Sequence, residues 1–189
     1  MSVNTLLATE NLNEVRSQRL NDVGQQWSGK LESNPEHANL TFAINAKSVG
    51  AIATDIRAGK HSFLIDEPAG LAGDDAGAAP VEYALGALAA CQQIVYRLYA
   101  HQLGIQVDDI QIQAEGDLNV KGLFGLDEQV RPGFSDVRLV VNITGPESAE
   151  RYRELQETVD AHCPLLDVFA NPTPVSISQR INGAEASDD

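Results

Sequence analysis

The chain is poor in cysteine, in aromatic residues and in basic residues. Its 189 residues include two cysteines and one tryptophan, and Phe, Tyr and Trp together make up 5%. Against 13 Lys and Arg residues stand 27 Asp and Glu residues, which gives a formal net charge of −14. Because a surface this acidic repels nucleic-acid phosphates and anionic lipid headgroups, we expect neither a nucleic-acid partner nor a membrane partner.

The chain also lacks a long apolar run. No segment approaches the ~20 residues that a membrane-spanning helix needs, and the start, MSVNTLLATENLNEV, lacks the basic and apolar regions of a signal peptide. We therefore expect a cytoplasmic location, where structural disulfides are rare and a cysteine pair is more often catalytic, metal-binding or free. The 189 residues are enough for one domain, and 43% of them are hydrophobic, which is enough to form its core.

Apolar periodicity predicts both helices and strands, and hence an α+β fold. A polar helix is expected from Asn11 to Trp27, and a long apolar helix from Pro80 to about Leu103 that stops at Gly104. Residues 39–68 are expected to form two or three antiparallel strands, with alternation at Leu40–Ile44 and Phe63–Ile65 and turns at Ser48–Gly50 and Ala58–Lys60. The other predicted elements are strands at Ile105–Val120, Val137–Ile143 and Val175–Ile181, and helices at Pro146–His162 and Leu165–Phe169. The expected organisation is a helical extension and loop (1–39), one α+β domain (40–182) and a disordered tail (183–189).

The two cysteines are the residues best suited to chemistry. Cys91 lies in the apolar helix, in PVEYALGALAACQQIVYRLYA, and Cys163 lies in DAHCPLL, where Pro164 biases it away from helical torsions. They are either two inert core residues or a redox pair brought together by folding. A zinc site with His101 and His162 is disfavoured, because the chain has no C-x-x-C or H-x-x-x-H unit around them.

Three segments carry a family resemblance when they are taken together. They are PVEYALGALAAC at Pro80–Cys91, the preceding run from Asp66 to Asp74, and the Cys163–Pro164 pair, 72 residues after Cys91. In this combination the chain resembles the OsmC/Ohr family of thiol-dependent peroxidase-like proteins. The resemblance covers roughly Leu40 to Ile181 and looks more like the broad OsmC-like branch than the organic-hydroperoxide reductases proper.

The resemblance implies a fold, a partner and a reaction. The fold would be an antiparallel sheet that wraps two long central helices, in an intertwined homodimer whose active sites draw on both chains. The reaction would reduce an organic hydroperoxide, with Cys91 as the peroxidatic residue and Cys163 as the resolving residue. A dithiol would act as the reductant, and no metal or bound organic cofactor would be needed.

The resemblance also implies two supporting residues. Glu82 matches a family glutamate that pairs with an arginine near the thiolate, and Arg57 is the candidate arginine, ranked above Arg97. On a straight helix Glu82 lies opposite Cys91 and ~13 Å away along the axis, so it would act through an arginine or across the dimer interface. A simpler role for Glu82 is a carboxylate at a helix N-terminus, where the helix dipole favours negative charge.

A second function stays open at this stage. A non-catalytic protein of the same fold would bind a small apolar ligand or a partner protein, and its cysteines would only pack. The two functions differ in thiol reactivity, because a peroxidase needs one activated thiol and a rapid peroxide-driven disulfide.

Overall fold

The computed structural model describes residues 12–182 and 184–185. Its helices are α1 (Leu12–Ser33), α2 (Pro80–Gln102), α3 (Val120–Leu123), α4 (Ala149–His162) and α5 (Pro164–Ala170). Its strands are β1 (Asn45–Ser48), β2 (Thr54–Ala58), β3 (His61–Ile65), β4 (Asp109–Asp117), β5 (Asp136–Thr144), β6 (Arg180–Ile181) and β7 (Ala184–Glu185). None of the described helices is long and apolar enough to cross a membrane.

The strands form antiparallel sheets. β1, β2 and β3 make one three-stranded sheet in chain order, and β4 pairs with β5 along nine residues, from Asp109 opposite Thr144 to Asp117 opposite Asp136. Partly buried and exposed residues alternate along β5, so one face of this pair packs inward. The predicted α+β fold with antiparallel strands and packed helices is confirmed.

Helix α2 has the bounds that its sequence predicts. Pro80 occupies the first turn, where its missing N–H costs nothing. At the other end Gly104 adopts φ +62°, and the N–H groups of Gly104 and Ile105 donate to the carbonyls of His101 and Ala100. This left-handed cap satisfies the last carbonyls of the helix and turns the chain toward β4.

The core lies where α2 packs against α4, α5 and β4. Its largest fully buried side chains are Tyr96, Leu88, Ile110, Leu155, Val159 and Cys163. Burial of apolar side chains is the main stabilising contribution to folding. The core therefore holds the middle of α2 against the junction between α4 and α5, and each of these segments carries one cysteine.

The strands predicted at Leu40–Ile44 and Val175–Ile181 are mostly absent from the described protomer. β1 begins only at Asn45, and Phe42 is 88% exposed. Near the C-terminus only Arg180–Ile181 is strand, and Ile177 is 92% exposed. A strand with alternating apolar residues requires a neighbouring strand and a layer that covers its apolar face. In the described part of the chain, residues 40–44 and 175–179 have neither.

The two ends of the chain differ in part from expectation. Helix α1 continues beyond the predicted end at Trp27 to Ser33, whereas its predicted first residue, Asn11, lies outside the described residues. Of the predicted tail, residues 183 and 186–189 also lie outside them, and Ala184–Glu185 pairs with Arg180–Ile181.

Candidate thiol site

The fold brings the two cysteines into contact. The Sγ atoms of Cys91 and Cys163 lie 3.5 Å apart although the residues are 72 positions apart in the chain, and both thiols are free. A disulfide needs a sulfur–sulfur distance of ~2.05 Å, so the pair has to close by about 1.5 Å. A local side-chain adjustment is of that size, and the arrangement is suited to reversible disulfide formation.

The position of Cys163 follows from the proline after it. Cys163 has extended torsions, φ −82° and ψ 113°, because Pro164 disfavours the helical region for the preceding residue. It ends α4 and caps the start of α5, where the N–H groups of Leu165 and Leu166 approach its sulfur. The predicted break at the Cys-Pro pair is confirmed, and it aims the thiol back toward α2.

The environment of Cys163 favours its protonated form. Burial raises the pKa of the Cys163 thiol, hydrogen bonding from the Leu166 N–H opposes this, and the Cys91 sulfur raises the pKa further. Cys163 is only 1% exposed, whereas Cys91 is partly exposed. Cys163 donates a hydrogen bond to the Cys91 sulfur, and the two thiols differ in burial.

An apolar cleft of about 510 Å³ lies one helical turn from both thiols. Leu88 lines it three residues before Cys91, and Leu166 lines it three residues after Cys163. Phe134 and Phe169 also line it, and their rings stack on each other with centroids 6.5 Å apart. A cleft of this size and lining fits a small apolar molecule.

Arg131 supplies positive charge to this cleft, and sequence reasoning missed it. Its side chain is exposed and lines the cleft together with Asp136. A signal was present, because Arg131 is the single arginine of the loop GLFGLDEQVRPGFSD, close to Phe134. Nothing local in the sequence shows that this loop folds back over α2 and α5.

Glu82 acts at the start of α2. Its Oε2 accepts a hydrogen bond from the Ala79 N–H at 2.8 Å, which satisfies one of the N–H groups that a helix start leaves unpaired. This matches the simpler of the two predicted roles. Among the described residues of one protomer Glu82 forms no ion pair, so its predicted partnership with an arginine stays a prediction.

Arg57 and Arg97 have other neighbours in the protomer. Arg57 on β2 is 74% exposed, and its Nε lies 3.4 Å from Asp55. Arg97 on α2 donates to the carbonyls of Val107 at 2.7 Å and Asp108 at 3.4 Å. Among the described residues neither guanidinium hydrogen-bonds to a cysteine, so the activation expected of Arg57 stays a prediction.

The two histidines considered for zinc are engaged elsewhere. His101 Nε2 lies 3.0 Å from Asn21 Oδ1, and His162 Nδ1 lies 2.7 Å from the Thr158 carbonyl oxygen. In the described part of the chain, no group of His, Cys, Asp and Glu side chains has an arrangement suited to a metal ion.

Comparison with known families identifies the class of protein. The family model described as OsmC-like protein matches residues 73–178, more than half of the 189-residue chain. The chain therefore belongs to the OsmC-like family. The match includes both cysteines and the apolar cleft, and the resemblance proposed from the sequence is confirmed.

Solved structures agree on the fold. An OsmC-like protein from Mycoplasma pneumoniae is 18% identical, with a TM-score of 0.62 over 70% of this chain and 89% of that one. The organic hydroperoxide resistance protein OhrB of Bacillus subtilis is 25% identical, with a TM-score of 0.51 over 68% and 90%. An organic hydroperoxide resistance protein OsmC from Legionella pneumophila is 20% identical, with a TM-score of 0.54 over 69% of this chain and 89% of that one. No curated protein sequence matches the chain.

Proposed function

We propose that this protein is a thiol-dependent peroxidase that reduces organic hydroperoxides through a two-cysteine cycle. The observation that carries the proposal is the 3.5 Å contact between Cys91 and Cys163 at the packed junction of α2, α4 and α5. Membership of the OsmC-like family and similarity to hydroperoxide resistance proteins support it.

The cycle needs only the two thiols and an external reductant. The Cys91 thiolate attacks the terminal oxygen of ROOH, the O–O bond breaks, and the departing alkoxide takes up a proton and leaves as ROH. The resulting sulfenic acid reacts with the Cys163 thiol, so that an S–S bond forms and water leaves. A dithiol then exchanges with the disulfide, restores both thiols and is itself oxidised to a disulfide.

The surroundings of the two thiols support this division of roles. Peroxide has to reach the attacking sulfur, and Cys91 is the less buried member of the pair. The buried thiol of Cys163 has a raised pKa, which suits a resolving thiol that reacts after Cys91 rather than the attacking thiolate. Its proximity would also trap the sulfenic acid before further, irreversible oxidation.

The cleft beside the thiols suits an apolar substrate. Leu88, Leu166 and the phenylalanine pair would hold the carbon body of a hydroperoxide, and Arg131 would face its polar end or a substituent. The cycle calls for no metal or bound organic cofactor. A dithiol reductant and a cytoplasmic location belong to the same proposal, because reducing conditions keep such a pair in its thiol form.

The partner we propose is a second copy of the chain. Two extended segments, residues 40–44 and 172–179, expose alternating apolar side chains, and Ile94 is exposed in the middle of α2. The exposed apolar positions of the two segments include Leu40, Phe42, Ile44, Val175 and Ile177. Segments with this pattern need a sheet partner and a covering surface, and exchange between two copies would provide both. A second copy could also bring Arg57 and Glu82 to the thiols.

One observation favours a second candidate function, the binding of an apolar ligand without catalysis. Among the described residues of one protomer, no lysine or arginine hydrogen-bonds to either sulfur. Without a nearby cation the thiolate is poorly stabilised in an apolar site. The cleft would then be the functional feature and the cysteines would only pack.

A peroxide challenge separates the two functions. Reduced protein is mixed with one equivalent of cumene hydroperoxide or of hydrogen peroxide and followed by intact mass and thiol titration. A peroxidase loses both thiols and two mass units rapidly, and reacts faster with the apolar peroxide. Cys163→Ser should stall with one oxygen added at Cys91, whereas Cys91→Ser should stay reduced. Survival of both thiols in the wild-type protein would reject the peroxidase.

Three matched arginine variants identify the activating cation. Arg57→Gln, Arg131→Gln and Arg153→Gln each remove one positive charge, and exposed Arg153 lies on α4 beside Glu150 as the control. Loss of peroxidase rate together with slower iodoacetamide alkylation of Cys91 marks thiolate activation. Loss of peroxidase rate alone marks substrate positioning. Sedimentation of the same samples reports whether the chain is dimeric.

A further inference from the structure

A second cleft, away from the thiols, lies between α1 and the end of α2. Its volume is about 390 Å³. Asn13, Arg16 and Ser17 line it from α1, and Arg97 and His101 line it from α2. The connection from Gly104 to Val107 completes its wall.

Two guanidinium groups line this cleft, those of Arg16 and Arg97. Arg16 and Arg97 are both partly buried, and neither forms an ion pair with another of the described residues. Their hydrogen bonds go to neutral acceptors: Arg16 to Asn13 Oδ1 at 2.8 Å, and Arg97 to the carbonyls of Val107 and Asp108. The pairing is unusual in a chain with 27 acidic and 13 basic side chains, where carboxylates are abundant.

The two guanidiniums are close enough for each charge to act on the other. Burial lowers the pKa of Arg97, the positive charge of Arg16 lowers it further, and Asp109 and Asp108 oppose this less strongly. Two close cations destabilise each other unless an anion lies between them.

Toward the residues that the structure describes, both guanidiniums keep unused hydrogen-bond donors. A guanidinium has five N–H groups in a planar fork that matches the oxygens of carboxylate or phosphate. Arg97 uses two of its N–H groups on main-chain carbonyls, and Arg16 uses one on Asn13. The contacts of Arg97 are explained by a structural role, because they hold the turn before β4 against α2. That role does not explain why Arg16 lies in the same cleft as Arg97.

We propose that this cleft binds a small oxyanion, of the phosphate or carboxylate class, between Arg16 and Arg97. The anion would neutralise both cations and tie α1 to α2. Helix α1 has no buried residue of its own, so such a bridge would matter for its position. The site does not depend on the thiol chemistry, so loss of anion binding would leave the peroxidase proposal standing, and loss of peroxidase activity would leave the anion site standing.

The test is titration of the full-length protein with inorganic phosphate and, separately, with acetate. Ionic strength is held constant with sodium chloride, and binding is followed by backbone amide NMR shifts. We expect saturable shifts at Gly104 and Gln106 with at least one of the two anions. Which anion binds more tightly distinguishes a tetrahedral from a planar ligand.

Variants connect the binding to the two arginines. Arg16→Gln should weaken binding about tenfold or more, because a charge-assisted contact is lost. Arg97→Gln should do the same, but it also removes the carbonyl contacts, so its fold is checked by its urea midpoint. Arg19→Gln is the matched control on the exposed face of α1 and should bind like wild type. No saturable shift with either anion, or equal weakening by Arg16→Gln and Arg19→Gln, would overturn the proposal.

Discussion

Oxidation of Cys91 and Cys163 to a disulfide should stabilise the protein. The bond would close a loop across 72 residues of chain, and the sulfurs already touch in the folded state. For a loop of this length the lost entropy of the unfolded chain corresponds to about 4 kcal/mol at 25 °C. Little of that should be offset, because the folded chain needs to move the two sulfurs by only about 1.5 Å.

Urea unfolding of the reduced and oxidised forms at one protein concentration measures this difference. With a slope of about 2 kcal/mol per molar urea, the midpoint should rise by about 2 M on oxidation. Cys163→Ser treated with the same oxidant should show no rise, and non-reducing mass analysis confirms that the bond is within one chain. An oxidised form less stable than the reduced form would refute the reasoning, because it would mean that closing the bond strains the junction.

Three further predictions concern the core, a buried phenol and a helix cap. Leu155→Ala should lower the free energy of unfolding by about 3 kcal/mol in urea titrations, and Val168→Ala, at an exposed site, by far less. Burial and then Asp160 raise the pKa of Tyr96 from 10.0 to about 12, so stability should fall as the pH rises from the lower to the higher of these values, and Tyr96→Phe should remove the fall. Gly104→Ala should cost about 1 kcal/mol by urea unfolding, through strain at φ +62°.

Local chemistry made the helices predictable. Pro80 at the start of α2, Gly104 after its end and Pro164 behind Cys163 each act on neighbouring residues, so their effect can be read before the fold is known. The β4–β5 pair was visible for a similar reason, because apolar residues alternate along both strands. The family resemblance also depended on these short segments and their spacing.

Strands at the surface of the protomer were predicted less well. Residues 40–44 and 175–179 have the alternation of strands, yet they are not paired within the described protomer. Strand formation depends on a neighbouring strand, and local alternation does not show whether the fold supplies one. The roles assigned to Arg57 and Glu82 likewise depend on contacts that the local sequence does not show, and they stay predictions.

The sequence by itself determined the net charge and the number of cysteines, because these follow from composition. It also determined the ends of the apolar helix, because these depend on contacts within a few residues. Only the tertiary structure decided that Cys91 meets Cys163, that Cys163 is the buried member of the pair, and that Arg16 lies beside Arg97. Each of these facts joins residues far apart in the chain. They depend on how α2 packs against its neighbours, and that packing is a property of the whole core rather than of any one segment.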